Sequence, residues 1–263
     1  MTRALLSRRR FLTSALIGGT GMAVSGCNGL DGLKDTDNRL RSVMASANYL
    51  TYRAQRLLIG GDSLAREFSR SEIRQPMRPN GVTSPPDGDY QALASTGFAG
   101  YRLSVGGLVA KPTSFGLAAL KAMPARTQIT RHDCVEGWSC IAEWTGVPLS
   151  VVLNAVRPLP SARFVLLRCF DTIEQGLSGA FKYYETIDLV DAFHAQTILA
   201  YGMNGAALPI ANGAPLRLRV ERQLGYKMAK YVRSIDLIDD FSRIEGGKGG
   251  YWEDRGYDWY AGI

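Results

Sequence analysis

Four strand-length apolar runs dominate the second half of this chain: Arg163 to Phe170, Thr197 to Met203, Ala214 to Val220 and Tyr231 to Ile238. Their β-branched and aromatic content suits a pleated, half-buried surface. Asn204-Gly205 and Asn212-Gly213 fall among them, and both pairs favour the left-handed backbone that a tight reversal needs. No fixed-period repeat and no regular strand–helix–strand alternation accompanies them, which argues against solenoids and doubly wound sheets. The pattern predicts an α+β fold of mixed sheets with short helices in a single domain.

The first half is less regular. Leu40, Val43, Met44, Ala47, Ala54, Leu57 and Leu58 recur at helical spacing, and Gly60-Gly61 ends the run. This predicts an amphipathic helix whose apolar stripe packs on the core. Residues 69–100 carry Pro76, Pro79, Pro85 and Pro86 and read as one long loop. Loops of that length tend to be functional or wrapped over another part of the fold. Alternation from Tyr101 to Val105 predicts a strand, and Thr127 to Thr130 is strand-like. Thr113 or Ser114 is expected to cap a short helix reaching Met123, and Leu149 to Val156 to form another. The aromatic end, Tyr251 to Tyr260, is expected to pack back over the domain, since each ring has a large area to bury.

The N-terminus carries an address. Ser7-Arg8-Arg9-Arg10-Phe11-Leu12 opens a charge-free stretch that continues to Gly26, the layout of a secretory signal with the arginine pair of twin-arginine export. Gly18, Gly19, Gly21 and Gly26 make it a poor membrane span. Val24-Ser25-Gly26-Cys27 resembles a bacterial lipobox; Cys27 is then a lipid-anchored residue, or, after ordinary cleavage, a lost or stray thiol. The expected organisation is a signal peptide over 1–26, a tether over 27–38 and the folded domain over 39–263, placed in the periplasm as a membrane-anchored lipoprotein. Twin-arginine export carries folded cargo, which raises the expectation of a redox cofactor inserted beforehand.

Removing 26 of the 263 residues leaves 237, enough for one sizeable core. Four of the 31 basic residues leave with the signal, so 27 face 24 acids; a net charge of +3 gives no reason to expect nucleic acid. Beyond Cys27 stand Cys134, Cys140 and Cys169, an odd number for an oxidising compartment. Cys140 and Cys169 are a possible disulfide pair that sequence alone cannot establish. With only His132 and His194 and no paired cysteine motif, a structural zinc site is not expected.

The densest chemistry lies in Arg131-His132-Asp133-Cys134-Val135-Glu136-Gly137-Trp138-Ser139-Cys140, with Gly146-Val147-Pro148-Leu149 after it. Nearby positive charge favours a thiolate, which ligates metals or attacks electrophiles; the plain alternative is a thiol filling a core position. A second group is Asn212-Gly213-Ala214-Pro215-Leu216-Arg217, followed by Gly225-Tyr226-Lys227-Met228-Ala229-Lys230. Arg offers phosphate a planar fork, Lys a point charge, and a glycine-containing turn lets backbone N–H groups approach closely. A hairpin and a solvated basic strand would have the same composition.

Together these two segments resemble the sulfite oxidase superfamily, the oxidoreductase molybdopterin-binding domain, and are most similar to its exported bacterial members. The likeness runs from about Pro79 to Val232. It implies the sulfite oxidase-like fold and Mo-molybdopterin as cofactor, with Cys134 as the molybdenum ligand and catalytic centre. It further implies cofactor contacts from Asn80, His132, Asn212, Arg217, Met228, Ala229 and Lys230. His194 is a weaker candidate for the substrate funnel.

The implied activity is oxygen-atom transfer to or from a small or protein-bound substrate. The rival is a catalytically silent, surface-tethered binding or assembly lipoprotein on the same fold; a thiol redox protein using Cys134 and Cys140 is a weaker third. Sulfite oxidases proper carry a further C-terminal dimerisation domain, for which no room remains after Val232, so a monomer is expected. No haem-attachment motif is present, so electrons are expected from a separate protein, such as a membrane haem protein.

Overall fold

A computed structural model describes residues 39–176 and 179–263. The signal, the tether and Cys27 lie outside the described residues. In chain order the elements are α1 (Arg39–Ile59), α2 (Gly88–Ser95), β1 (Arg102–Gly107), β2 (Thr113–Gly116), α3 (Leu117–Ala122), β3 (Arg126–Cys134), β4 (Trp138–Pro148), α4 (Leu149–Val156), β5 (Phe164–Gly176), β6 (Gly179–Asp188), α5 (Leu189–Ala192), β7 (Ile198–Met203), β8 (Ala206–Ala207), β9 (Arg217–Arg219) and β10 (Val232–Ile238). All strands belong to one compact unit, Thr51–Ile263.

One sheet runs β2-β1-β10-β5-β6, with β1 and β10 parallel and the other pairs antiparallel. The other runs β3-β4-β7-β8, with β9 added beside β7. This is the expected mixed-sheet α+β architecture. Alternation marks β1 of the first sheet: Leu103 and Val105 are buried while Arg102 and Ser104 are exposed. Its interior strand β5 instead buries Val165, Leu166 and Leu167 in succession, as a strand covered on both faces does. Helix α4 buries Leu149, Val152, Leu153 and Val156, one face at helical spacing. Each such side chain contributes roughly 1.5–3 kcal/mol. The Asn204-Gly205 reversal joins β7 to β8 with both residues at positive φ, +51° and +77°, the two-residue hairpin its sequence predicts.

Several expectations are corrected. The Leu57–Leu58 end of the α1 stripe does not pack: the two are 84% and 82% exposed. The helix is held by its polar side, where Arg56 reaches Asp188 at 2.8 Å and Asp191 at 2.7 Å and Tyr52 donates to Asp188 at 2.9 Å. The 69–100 loop contains α2, started by the Asp87 side chain accepting the Tyr90 amide at 2.9 Å. Thr113–Gly116 is strand rather than helix cap, paired with β1, and α3 begins after Gly116 without a side-chain cap. Cys134, Cys140 and Cys169 are all free. The aromatic end does pack back, with Tyr251 only 2% exposed.

Candidate active site

β3 and β4 meet in a tight hairpin that leaves Cys134 at the end of β3. Gly137 takes the left-handed conformation the turn requires (φ +84°), and its amide donates to the Cys134 carbonyl at 3.0 Å. Above the hairpin, the Trp138 indole donates to Glu136 at 2.8 Å and the Arg78 guanidinium lies 4.8 Å over the Trp138 ring. Beneath it, half-buried Cys134 opens onto a cavity of about 360 Å³. Asn80, Asp171, Tyr183, Gly225, Met228, Ala229, Lys230, Trp252 and Tyr257 also line this space.

The long loop wraps the cavity, as its length suggested. Lys230 Nζ donates to the carbonyls of Asn80 at 2.5 Å, Val82, and Ala211 at 3.1 Å, and the Tyr231 hydroxyl donates to Val82 at 2.8 Å. Arg217 Nη2 donates to the Asn80 side chain at 3.2 Å and Nη1 to the Asn212 carbonyl at 3.1 Å. Gly213, at φ +115°, lets that segment turn back, and a side chain there would crowd Lys230 and Arg217. The structure therefore gathers Asn80, Asn212, Arg217 and Lys230 around one place, although they come from segments far apart in sequence.

The charge of this place is unusual. Arg217 is fully buried and Lys230 is 5% exposed, yet among the described residues neither has a carboxylate within salt-bridge distance. Burial, then Arg219, lowers the Arg217 guanidinium to about 9; burial, then Arg217, lowers the Lys230 ammonium to about 7. Asp171, on the cavity wall, is pushed up to about 7 by burial. Arg217 Nε, Asn212 Nδ2, His132 Nε2 and Asp171 Oδ1 are buried without a hydrogen-bond partner. Buried cations without counter-ions are costly, and unpaired donors beside them mark a place built to receive an anionic, hydrogen-bonding group. A phosphate-bearing pterin fits this donor set.

His132 packs behind the site. Arg219 Nη1 donates to its Nδ1 at 3.1 Å, and Met228 Sδ is 3.3 Å from the same atom. Burial first, and then Arg217, Arg219 and Lys230, hold the ring well below its ordinary value, so it is neutral. A Cβ at Gly225 would overlap this ring, which explains a glycine there. Neighbouring charge does not make Cys134 a thiolate by itself: burial raises the thiol and the Glu136 carboxylate adds to that, against the lowering by the Glu136 backbone amide, Arg78 and Arg217. Coordination to a metal would supply the missing deprotonation. His132, Asn212, Arg217 and His194 are absent from the cavity lining; the first three pack behind it, and His194 Nε2 lies 3.1 Å from the Ser63 carbonyl. Asp171 and Tyr183 stand in no local motif and carried no expectation; Trp252 and Tyr257 belong to the aromatic end expected to pack over the domain, and the structure adds that they line the cavity.

Residues 91–244 match the family described as the oxidoreductase molybdopterin binding domain. This chain belongs to that family. Its cofactor is therefore Mo-molybdopterin, and its chemistry is that of a molybdopterin-dependent oxidoreductase. Among relatives of this oxidoreductase, YedZ1 of Azospira oryzae, provisionally named a protein-methionine-sulfoxide reductase subunit, is 33% identical over 98% of this chain and 88% of its own length. The protein-methionine-sulfoxide reductase catalytic subunit MsrP of Xanthomonas axonopodis pv. citri is 36% identical over 53% of this chain. That match covers 45% of the MsrP length, so this chain spans less than half of that relative. The sulfane dehydrogenase SoxCD from Paracoccus pantotrophus is 25% identical, with a TM-score of 0.48 over 54% of this chain and 39% of that one.

Proposed function

We propose that this oxidoreductase catalyses oxygen-atom transfer in the direction of sulfoxide reduction, with Cys134 as the protein ligand of molybdenum. The supporting observation is the cavity: one half-buried cysteine and the buried Lys230 line it, and Arg217, which like Lys230 has no salt bridge among the described residues, reaches the lining residue Asn80 from behind. The relatives named as methionine sulfoxide reductases support the direction and the substrate class. Bound here, the cofactor supplies a metal that exchanges two electrons as an oxygen atom moves.

The chain's own residues then hold and orient. Cys134 contributes sulfur, a soft ligand suited to a metal bound through sulfur. Arg217 and Lys230 would neutralise the phosphate, while Asn212 and Asn80 would supply hydrogen bonds to the pterin. Met228 and Ala229 would contribute from the turn, whose position His132 sets through Met228. Trp252 and Tyr257 line the C-terminal side of the cavity.

The export signal over 1–26, the tether over 27–38 and the anchor at Cys27 complete the proposal: a monomeric periplasmic enzyme held at the membrane, supplied with electrons by a separate membrane haem protein. The test is reduction of methionine sulfoxide by purified protein with reduced viologen as donor. Wild type is expected to turn over, and Cys134→Ser to be inactive while still carrying pterin, because oxygen is a harder, weaker match for the metal than sulfur. Activity retained in Cys134→Ser would overturn the ligand assignment.

A further inference from the structure

Behind the cavity lies a buried charge cluster that the proposed chemistry has not used. Lys227 Nζ donates to Glu185 Oε1 and to Glu253 Oε1, each at 2.6 Å, and all three residues are at most 1% exposed. The second oxygen of Glu185 lies 3.2 Å from the Tyr183 hydroxyl, which donates to the Tyr226 carbonyl; the second oxygen of Glu253 has no partner. Tyr183 is on the wall of the cavity at Cys134. It also lines a separate, larger cleft of about 810 Å³ that faces the first sheet and includes Arg168, Arg233 and Asp254. One phenol thus stands between two cavities with a buried carboxyl at its back.

We propose that Tyr183 and Glu185 form a proton relay serving the cavity at Cys134, with Glu185 the reservoir and Lys227 and Glu253 its fixed support. This rests on reading the cavity as a site of sulfoxide reduction. Converting a sulfoxide to a sulfide breaks the sulfur–oxygen bond and consumes two electrons and two protons, releasing water. The electrons come from the redox partner protein. Tyr183 offers the cavity a hydroxyl donor with a buried carboxyl behind it, a supply of protons held by the protein itself. Rotation of the Tyr183 hydroxyl from the Tyr226 carbonyl toward the cavity delivers one proton, and Glu185 Oε2 replaces it, becoming a carboxylate beside the Lys227 ammonium. Solvent in the larger cleft restores the proton through the same phenol, and a second passage completes the pair.

The charge balance agrees with this. Two carboxylates on one ammonium would leave a buried negative charge, whereas one protonated carboxyl leaves the cluster neutral. Burial first, and then Glu253, raise Glu185 well above the usual carboxylate range, against the opposing pull of Lys227. The charged or titratable groups facing it are Lys227, Glu253, Tyr183, Tyr226, Cys169 and Asp171. Lys227 is the only cation among them.

The test uses molybdenum-loaded protein and two readouts. Infrared spectra at about pH 7 should show a protonated-carboxyl band that shifts in deuterium oxide, persists in Asp171→Asn and disappears in Glu185→Gln. No such band in wild type overturns the relay, whatever reaction the enzyme catalyses. Tyr183→Phe, which removes one hydroxyl and keeps the ring, should retain full molybdenum yet reduce methionine sulfoxide about a hundredfold more slowly, the scale of a lost proton donor. Its solvent deuterium isotope effect should also change. Wild-type turnover and an unchanged isotope effect in that variant overturn the relay. If loaded wild type fails to reduce sulfoxide, the reaction is wrong, and the infrared band alone then decides whether Glu185 holds a proton.

Discussion

Two buried arginines, two residues apart on β9, face the same ring and meet opposite fates. The Arg219 guanidinium lies 4.4 Å over Trp144 and is closed by Glu221, with Nε at 2.9 Å and Nη2 at 2.6 Å from its carboxylate. Arg217 lies 5.2 Å over the same ring and has only a carbonyl and an amide oxygen as acceptors, with Nε unpaired. The same contrast recurs in the lysines. Lys227 is enclosed by two glutamates, while Lys230 has only carbonyls. The fold supplies carboxylate partners to Arg219 and Lys227 and none to Arg217 and Lys230, the contrast on which the proposed anion site rests.

The contrast breaks most visibly in stability. Arg219→Met strands the Glu221 carboxylate in the core and should cost the cofactor-free protein about 3–5 kcal/mol in urea unfolding. Arg217→Met removes a charge with no ion pair and should cost no more than about 1 kcal/mol, a lost pair of neutral-acceptor hydrogen bonds being offset by relief of desolvation. Equal costs would show that Arg217 is as structural as its neighbour.

A smaller effect separates the lysines by pH. Folding lowers the Lys230 ammonium from its ordinary 10.5 to about 7, so the folded chain binds fewer protons between those values. The resulting penalty is full below about pH 7 and lifts as pH rises toward 10.5. Wild type should therefore gain stability relative to Lys230→Met across that window. Inorganic phosphate, binding best to the protonated ammonium, should bind cofactor-free protein progressively more weakly over the same range. A flat difference and a flat affinity would mean that Lys230 neither carries this penalty nor meets the anion.

Much of the fold was legible where local signals agreed. Helix α4 showed a clean apolar face, and Asn204-Gly205 could serve little but a tight hairpin. β4 was not, because Gly146 sits at an irregularity in its pairing with β7 and Glu143 lies among apolar neighbours. α2 was hidden by the prolines before it, although Asp87 signalled its start. The α1 stripe misled because an apolar spacing says that a face exists, not that a partner covers it. At the site, Cys134, Arg217 and Lys230 stood in readable motifs. Asp171, Tyr183 and Glu185 did not: Asp171 has its meaning from the cavity it lines, and Glu185 from Lys227, 42 positions away.

The most direct measurement is molybdenum and pterin content of wild type, Arg217→Met and Cys134→Ser, each purified from cells that make the cofactor. Wild type should hold about one molybdenum and one pterin per chain; Arg217→Met should hold neither while remaining folded; Cys134→Ser should keep its pterin. A folded Arg217→Met protein with its full complement of both would contradict the claim that the unpaired cations are there to receive the cofactor.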